Sequence, residues 1–400
     1  MARFHTPKLR LLLAACAAVL LAASSGAAVA EPPAPGATGA DRDVLLVGNA
    51  EGGTITLLDS QNMAKLDEIN AIPDLQQRLD QMNPVERIGY EVVRGQAGGD
   101  RFVDDLAVSP DGKTLYVSRG NLADTVAIDL KTRQQLWRTK IEGFHSNHMQ
   151  LSPDGTRLFV SALTARKVQV LNAADGAVVG EFPTGDWPHG NDFSPDGQRL
   201  YNSSIGVIPV PDFLEPLKGQ RQLTIVDAKT LEVIRTIPFE HGIRPLVMTP
   251  DEKTIYMQLS FLNGLVEVDV PSGKIVRRVD LPLSDEAKKM KREDYPLDSA
   301  HHGLAMSGDG SKLCAAGTIS NYVAILSRPA LTVDRIIPVG HEPYWALTSK
   351  DGARCFVSNS QDSTISVISY DKAEEIARVP VGKYPQRLRE AALPEEVIGH

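Results

Sequence analysis

Short apolar runs separated by tight turns recur along most of the chain. The turn reads SPDG at 109, 152 and 194, TPDE at 249, SGDG at 307 and SKDG at 349. One apolar run precedes each turn and further runs follow it, as in KTLYVS, TVAIDL and EVIRTI. Pro, Asp and Gly supply the backbone conformations that a tight turn requires. Each unit of about 42 residues therefore predicts four short antiparallel strands, the organisation of a β-propeller blade.

The two ends of the chain together predict one more blade. DVLLVGN at 43–49 and TITLLDS at 54–60 have the pattern of second and third strands without a first strand. PVGKYPQRL at 380–388 has the pattern of a first strand without the others. Pairing the ends gives an all-β, seven-bladed β-propeller over 43–390 with no open sheet edge, followed by a tail at 391–400. An array of β-sandwiches would not explain the divided unit.

The repeat resembles a known family. The stretch LAVSPDGKTLYVSRGNLADTVAIDLKT at 106–132 is similar to the YVTN type of seven-bladed propeller repeat. The resemblance implies the same fold over about residues 43–390. It implies little about activity, because that family includes many exported proteins without an assigned function and a fold alone does not determine function.

The first 30 residues have the pattern of a secretory signal peptide. A basic start is followed by an apolar run from Leu11 to Leu21 and by the A-x-A sequence that ends at Ala30. This pattern predicts cleavage near Ala30, a flexible leader at 31–42, and a periplasmic or extracellular protein. The apolar run is too short for a membrane span. LAAC at 13–16 also fits a lipoprotein site, although most of the apolar run lies after Cys16.

Charge and cysteine content restrict the possible partners and the chemistry. Removing residues 1–30 removes three basic residues and no acidic ones, which leaves 39 basic residues against 50 acidic residues, a net charge of −11. Such a chain is a poor candidate for binding nucleic acid or an anionic membrane. Cys314 and Cys355 occupy the second strands of neighbouring blades. They are either a disulfide between blades or two small core residues.

Histidines concentrate at the entrance to the first strand of each blade. Of the eight histidines after residue 30, seven lie four to eight residues before the turn Ser or Thr. They are His145, His148, His189, His241, His301, His302 and His341. Neutral imidazoles that converge suit a transition metal, with copper favoured and zinc or iron as alternatives. The competing interpretation is that loop histidines form hydrogen bonds with the backbone between blades.

A pattern of this kind is known from one enzyme. Nitrous oxide reductase also has a ring of histidines at the centre of a seven-bladed propeller, where they hold a copper cluster. The present chain is similar only in that pattern and lacks the additional copper domain, so the resemblance implies no shared activity.

Other polar and aromatic side chains share the same entrance segments. The first strand of each blade lines the central channel, so residues five positions before the turn should form a ring at one mouth. The predicted ligand-binding residues are Asp104, Asn147, Trp187, Arg244, Tyr344, Trp345, Gln386 and Arg387. Asp104, Asp105 and Glu342 are candidate oxygen ligands. Arg244, Arg387 and Lys383 are candidates for holding a carboxylate or other anion.

Three insertions interrupt the repeat at 60–100, 206–220 and 284–300. We expect helix in NMAKLDEIN and PDLQQRLDQM of the first insertion and at the start of the third. The direction of the strands predicts that all three lie on the histidine face. Long loops over one face form a lid, a binding wall or a partner surface.

Motif searches leave the chemistry open. The chain has no nucleophile elbow, HExxH, CxxC, phosphate loop or EF-hand loop, and we assign no catalytic residue. We expect an exported, monomeric propeller with a histidine-rich site for a metal or small ligand at the channel mouth. A metal-dependent redox enzyme or lyase, including a lactonase-like one, fits that site. The alternative is a non-catalytic scaffold that binds another envelope protein through the loop-covered face.

Overall fold

The computed structural model describes residues 41–399, which form seven four-stranded antiparallel sheets. The predicted all-β, seven-bladed propeller is thereby confirmed. The predicted signal peptide at 1–30 and most of the leader lie outside the described residues. No helix within 41–399 is long and apolar enough to cross a membrane.

Both ends of the chain contribute to blade 1. Its strand order is β28 (Pro385–Leu393), β1 (Arg42–Asn49), β2 (Thr54–Asp59) and β3 (Lys65–Asn70). The closure predicted from the two ends is correct, and β28 runs three residues beyond the predicted limit at 390.

The other six blades follow one another along the chain, and their first strands occupy one edge of each sheet. Blade 2 contains β4 (Asp105–Val108), β5 (Thr114–Arg119), β6 (Asp124–Asp129) and β7 (Gln135–Lys140). Blade 3 contains β8 (Ser146–Leu151), β9 (Arg157–Ala162), β10 (Lys167–Asn172) and β11 (Val178–Pro183). Blade 4 contains β12 (Pro188–Phe193), β13 (Arg199–Ser204), β14 (Gln222–Asp227) and β15 (Val233–Pro238).

The last three blades have the same organisation. Blade 5 contains β16 (Ile243–Met248), β17 (Thr254–Leu259), β18 (Gly264–Asp269) and β19 (Lys274–Asp280). Blade 6 contains β20 (Leu304–Met306), β21 (Lys312–Gly317), β22 (Tyr322–Ser327) and β23 (Thr332–Pro338). Blade 7 contains β24 (Pro343–Thr348), β25 (Arg354–Asn359), β26 (Thr364–Ser369) and β27 (Glu374–Pro380).

The repeated turn is stabilised by its own side chains. In blade 3 the Ser152 hydroxyl donates to Asp154 Oδ1 at 2.5 Å and accepts from the Arg157 amide at 2.9 Å. Gly155 has a φ of +72°, and a Cβ there would lie 2.4 Å from the Pro110 ring of blade 2. The same hydroxyl–carboxylate pair recurs at the turns of blades 2 to 7. The spacing from this turn to the channel is therefore alike in these blades.

The hydrophobic core lies between neighbouring sheets. Blade 7 and blade 1, for example, share a cluster that includes Phe356, Val367 and Leu45. Cys314 of β21 and Cys355 of β25 form a disulfide between blades 6 and 7, with Cα atoms 6.6 Å apart.

The first insertion differs from the sequence prediction in one respect. The helix expected in NMAKLDEIN is wrong, because Lys65–Asn70 is β3, the fourth strand of blade 1. PDLQQRLDQM does contain a helix, α1 (Leu75–Gln81), and α2 (Pro84–Gln96) follows it. Asn83 begins α2 with a capping box, in which its side chain accepts from the amides of Val85 and Glu86.

The other insertions contain only 3₁₀ helix. Asp212–Lys218 lies in the second insertion. The third contains Ala287–Lys289, Arg292–Asp294 and Pro296–Asp298, so the helix predicted at its start is a single 3₁₀ turn. Gly120–Leu122, Leu163–Ala165 and Glu395–Val397 are also 3₁₀ turns.

Candidate functional site at the channel mouth

The residues five positions before each of the six turns, together with Gln386 at the equivalent position of β28, converge at one mouth of the channel. Six of them line a single cavity: Asp104, Asn147, His189, Arg244, Tyr344 and Gln386. The seventh, His302, contacts His189. The register set by the turn repeat thus places one polar or aromatic side chain from every blade around the same space.

About 650 Å³ of space in the cavity and its open mouth, solvent included, is not filled by protein atoms. All three insertions contribute to its wall, through Val93 of α2, Ile208 and Leu297. The eight residues that the sequence analysis proposed as ligand-binding all line it.

Two histidines meet inside the channel wall. The Nε2 atoms of His189 and His302 lie 3.3 Å apart. Both residues are buried, with exposed fractions of 7% and 0%. Their rings come from blades 4 and 6, so the pair joins elements that are far apart in the chain.

Hydrogen bonds fix the tautomer of each ring. His302 Nδ1 lies 3.1 Å from the Tyr344 carbonyl oxygen, which can only accept, so Nδ1 carries the proton. His189 Nδ1 lies 2.7 Å from Asn147 Oδ1. The Asn147 amide is oriented by its Nδ2, which donates to the Asp104 carboxylate at 2.9 Å, so Oδ1 faces His189 as an acceptor. In the neutral state both Nε2 atoms therefore present lone pairs to each other.

Burial keeps these imidazoles neutral. It lowers the pKa of His189 well below 6.5, and the neighbouring His148 and His302 lower it further. The pKa of His302 is also well below 6.5, through burial and the nearby Arg244 guanidinium. Two neutral rings with opposed lone pairs are the form in which imidazoles bind metal ions.

His148 lies beside this pair. Its ring centroid is 4.1 Å from that of His189 and 5.6 Å from that of Trp345. Its Nδ1 is 3.4 Å from Asp105 Oδ2, which is longer than an ordinary hydrogen bond. Burial, reinforced by Arg387, lowers the pKa of His148.

The carboxylates of Asp104 and Asp105 contact two of these histidines, His145 and His148. Asp104 Oδ2 accepts from His145 Nε2 at 2.8 Å as well as from Asn147. Burial by itself would raise the pKa of Asp105, but the Arg387 and Arg389 guanidiniums hold it below its usual range. Asp104 thus accepts hydrogen bonds, and Asp105 forms ion pairs with arginines. Both had been candidate oxygen ligands for a metal.

Three of the predicted histidines have other neighbours. The His301 ring contacts the Tyr322 hydroxyl, with 3.2 Å between Nε2 and the oxygen, and burial lowers its pKa to about 3. His341 is exposed and pairs with Asp362 through Nδ1 at 2.9 Å. The half-buried His241 ring lies edge-on to Phe261. His301 and His302 thus point in different directions although they are adjacent in the chain.

Glu342 and Lys383 also have partners elsewhere. Glu342 accepts hydrogen bonds from the Tyr384 hydroxyl and from Gln361. Lys383 pairs with Glu51 at 2.9 Å. Within residues 41–399 no group of three or more His, Cys, Asp or Glu side chains is arranged to hold a metal ion as it stands.

Sequence reasoning missed Asp192. This carboxylate lies deeper in the channel, in a recess lined also by His148, His189, Arg244 and Arg387. Burial raises its pKa to about 6. The sequence does distinguish Asp192, since it is the only charged residue two positions before the turn among blades 2 to 7.

Comparisons with known proteins support the fold and no specific activity. No protein-family model and no curated protein matches the chain. Among solved structures, the chain is similar to hydrazine synthase of Kuenenia stuttgartiensis, with a TM-score of 0.57 and 17% sequence identity. The alignment covers 73% of this chain and 95% of that chain. At this identity the likeness concerns the fold alone, and the YVTN resemblance stays a prediction from the repeat.

Proposed function

We propose that this protein is an exported metal-binding propeller. His189 and His302 hold a transition-metal ion, with copper favoured, and His148 completes the ligand set. The cavity in front admits a small molecule. The chemistry that this arrangement suits is a metal-dependent redox or lyase reaction, because the metal would lie beside the ligand cavity.

The observation that supports the proposal is the pair of opposed Nε2 lone pairs. Two metal–nitrogen bonds of about 2.0–2.1 Å that meet at a tetrahedral angle place their nitrogen atoms about 3.3–3.4 Å apart. The separation in the structure is 3.3 Å. Without a cation between them, two buried acceptors at this distance repel each other and leave both lone pairs unsatisfied.

The surroundings of the pair have the features of a metal site. Histidine ligands usually donate their second ring N–H group to a carbonyl or carboxylate, which orients the ring. The Tyr344 carbonyl has this role for His302 and Asn147 has it for His189. Rotation of the His148 ring, which lacks a well-aligned partner at Nδ1, would supply a third nitrogen.

Metal analysis tests the proposal. Purified protein is stripped with a chelator, supplied with Cu(II) or Zn(II), and measured by elemental analysis and by electron paramagnetic resonance for copper. We expect about one bound ion per chain with hyperfine coupling to imidazole nitrogen. His189→Ala and His302→Ala should each weaken binding by at least about tenfold.

His341→Ala is the matched control, because His341 is exposed and lies outside the cavity wall. It should bind metal as the wild type does. Less than about a tenth of an equivalent of metal in the wild type, or equal binding by the three variants, would refute the proposal.

The second candidate is a scaffold for another envelope protein. Exposed apolar side chains on the cavity-side insertions favour it: Val85, Ile88 and Val92 of α2 and Phe213 and Leu217 of the second insertion. Large exposed apolar patches often mark interaction sites. A wild-type protein that binds no metal, but loses a co-purifying envelope protein when Ile88 is changed to Ser, would favour this candidate.

A further inference from the structure

Arg244 is a buried cation without a carboxylate partner. Its side chain is 1% exposed. Its Nε donates to the Ser260 hydroxyl at 3.1 Å, and its Nη2 donates to the Leu297 carbonyl. No carboxylate of residues 41–399 lies within 4 Å of its guanidinium. Asp298 acts on it from a greater distance and is itself bound by Lys218 at 3.0 Å.

Other buried arginines of the chain are paired. Arg119 contacts Asp124 at 2.6 Å, Arg387 contacts Asp105 at 2.8 Å, and Arg101 contacts Glu51 at 3.3 Å. An unpaired charge in a protein interior has a large desolvation cost, and for that reason buried charges are almost always paired. The burial of Arg244 without an ion pair is therefore not explained by its contacts within the protein, and a bound anion would account for it.

Arg244 lines both the cavity at the mouth and the recess beneath it. Arg387 lines the same two spaces, is stacked 3.5 Å from the Trp345 ring centroid, and has an Nη1 without a hydrogen-bond partner. Arg387 is paired with Asp105, and Asp104 and Asp192 also face these spaces, so it is Arg244 that supplies a positive charge without an ion-pair partner. An anion that enters the cavity would find unused guanidinium donors.

The remaining wall restricts the rest of the ligand. It is mostly apolar and aromatic, with Trp187, Trp345, Leu163, Ile205 and Ile208 around the opening. A small inorganic anion would leave this surface in contact with water. A molecule with one charged end and an apolar body would cover it.

We propose that the cavity binds a small organic carboxylate, with its carboxylate on Arg244 and its apolar body between the tryptophans and the insertion side chains. The inference rests on the proposed function, since it names the class of molecule that would meet the metal. His148 and His189 line the recess together with Arg244, so the bound molecule lies next to the histidine pair.

Calorimetry and tryptophan fluorescence test the assignment with phenylacetate and hexanoate. The neutral analogues 2-phenylethanol and hexan-1-ol have nearly the same shape. We expect at least one carboxylate to bind, and its alcohol to bind at least about tenfold more weakly, because a hydrogen bond to a charged group is lost. Arg244→Gln should weaken carboxylate binding by about 10- to 100-fold.

Arg278→Gln is the control, because Arg278 is exposed and among residues 41–399 its ion-pair partner is Asp280 alone. It should bind both carboxylates as the wild type does. Thermal unfolding of Arg244→Gln separates a ligand role from a structural one. A ligand role predicts an unchanged or higher melting temperature, since an unpaired buried charge is removed. Equal binding of acid and alcohol, no binding of either acid, or equal binding by Arg244→Gln would overturn the assignment.

The same measurements distinguish this inference from the metal proposal. Chelator-treated wild type should still bind the carboxylate, because Arg244 is not a metal ligand. Carboxylate binding without any metal binding would sustain the Arg244 assignment and refute the metal site.

Discussion

At the scale of single residues, Asn147 links the buried carboxylate of Asp104 to the imidazole of His189. Its Nδ2 donates to the buried Asp104 carboxylate, and its Oδ1 accepts from His189. An aspartate at this position would place two carboxylates side by side, and a leucine would leave His189 free to exchange its tautomer. The amide is the side chain that accepts from one neighbour while donating to the other.

Asp192 provides a prediction about pH and stability. Its pKa in the folded protein is raised to about 6, above the value near 3.9 expected in an unfolded chain. The protonated form therefore stabilises the folded state below about pH 4, and this contribution is lost as the pH rises through 6. The shift corresponds to at most about 3 kcal/mol, and partial exposure of Asp192 reduces it.

Replacing Asp192 with Asn should remove this decrease in folding stability with rising pH. We expect the variant to be more stable than the wild type at pH 7 and nearly equal to it at pH 4. Denaturant unfolding at both pH values measures the difference. A stability difference that is the same at pH 4 and pH 7 would contradict the raised pKa.

At the scale of elements, the disulfide joins two second strands that no turn connects. Cys314 and Cys355 close a loop with a sequence separation of 41 residues. A cross-link of this length restricts the unfolded chain and typically contributes about 2–4 kcal/mol. Reduction of the wild type should therefore lower its unfolding midpoint in denaturant.

The Cys314→Ala, Cys355→Ala double variant is the control for that experiment. It should unfold at a lower denaturant concentration than the oxidised wild type and should not respond to reductant. An unchanged wild-type midpoint after complete reduction would show that the cross-link contributes nothing to stability.

The strands were largely predictable because the turn repeats. Once Ser152 and its equivalents are aligned, the apolar run before each turn is the first strand of a blade and the runs after it are the later strands. The strand β3 was mistaken for helix because it is an outer strand. Half of its residues KLDEIN are exposed and half are charged, and they lack the apolar alternation that identifies a strand from sequence.

The site was predictable as a set of positions and not as a set of contacts. The repeat identified which residues face the mouth, including His189, His302 and Arg244. Which imidazoles meet depends on ring orientation, and His301 and His302 show that neighbours in sequence can turn to opposite environments. Side-chain direction in an irregular segment is set by packing between blades. This packing cannot be predicted from the neighbouring residues in the sequence.

At the scale of the whole molecule, the ring is closed by hydrogen bonds between its two ends. β28 pairs with β1 from Arg42–Leu393 to Asn49–Pro385. A chain that ends at Tyr384 would leave the edge of β1 unpaired, and exposed edges promote association. We expect this truncated protein to aggregate or to lose its cooperative unfolding transition.

Size-exclusion chromatography and circular dichroism provide the measurement. The control ends at Ile398, because Val397 is buried in the core that blade 1 shares with blade 2. It should behave as the full-length protein does. A monomeric Tyr384 truncation with an unchanged melting curve would show that the ring does not need its last strand.

The closing strand also carries Gln386 and Arg387 into the cavity wall. These residues follow all the other strands of the propeller in the chain, so the cavity wall is incomplete until β28 has been synthesised. A nascent chain, or a product shortened by proteolysis before β28, would lack part of the wall instead of having a weakened one. Ligand binding would then be an assay of ring closure, and the Tyr384 truncation should abolish both together.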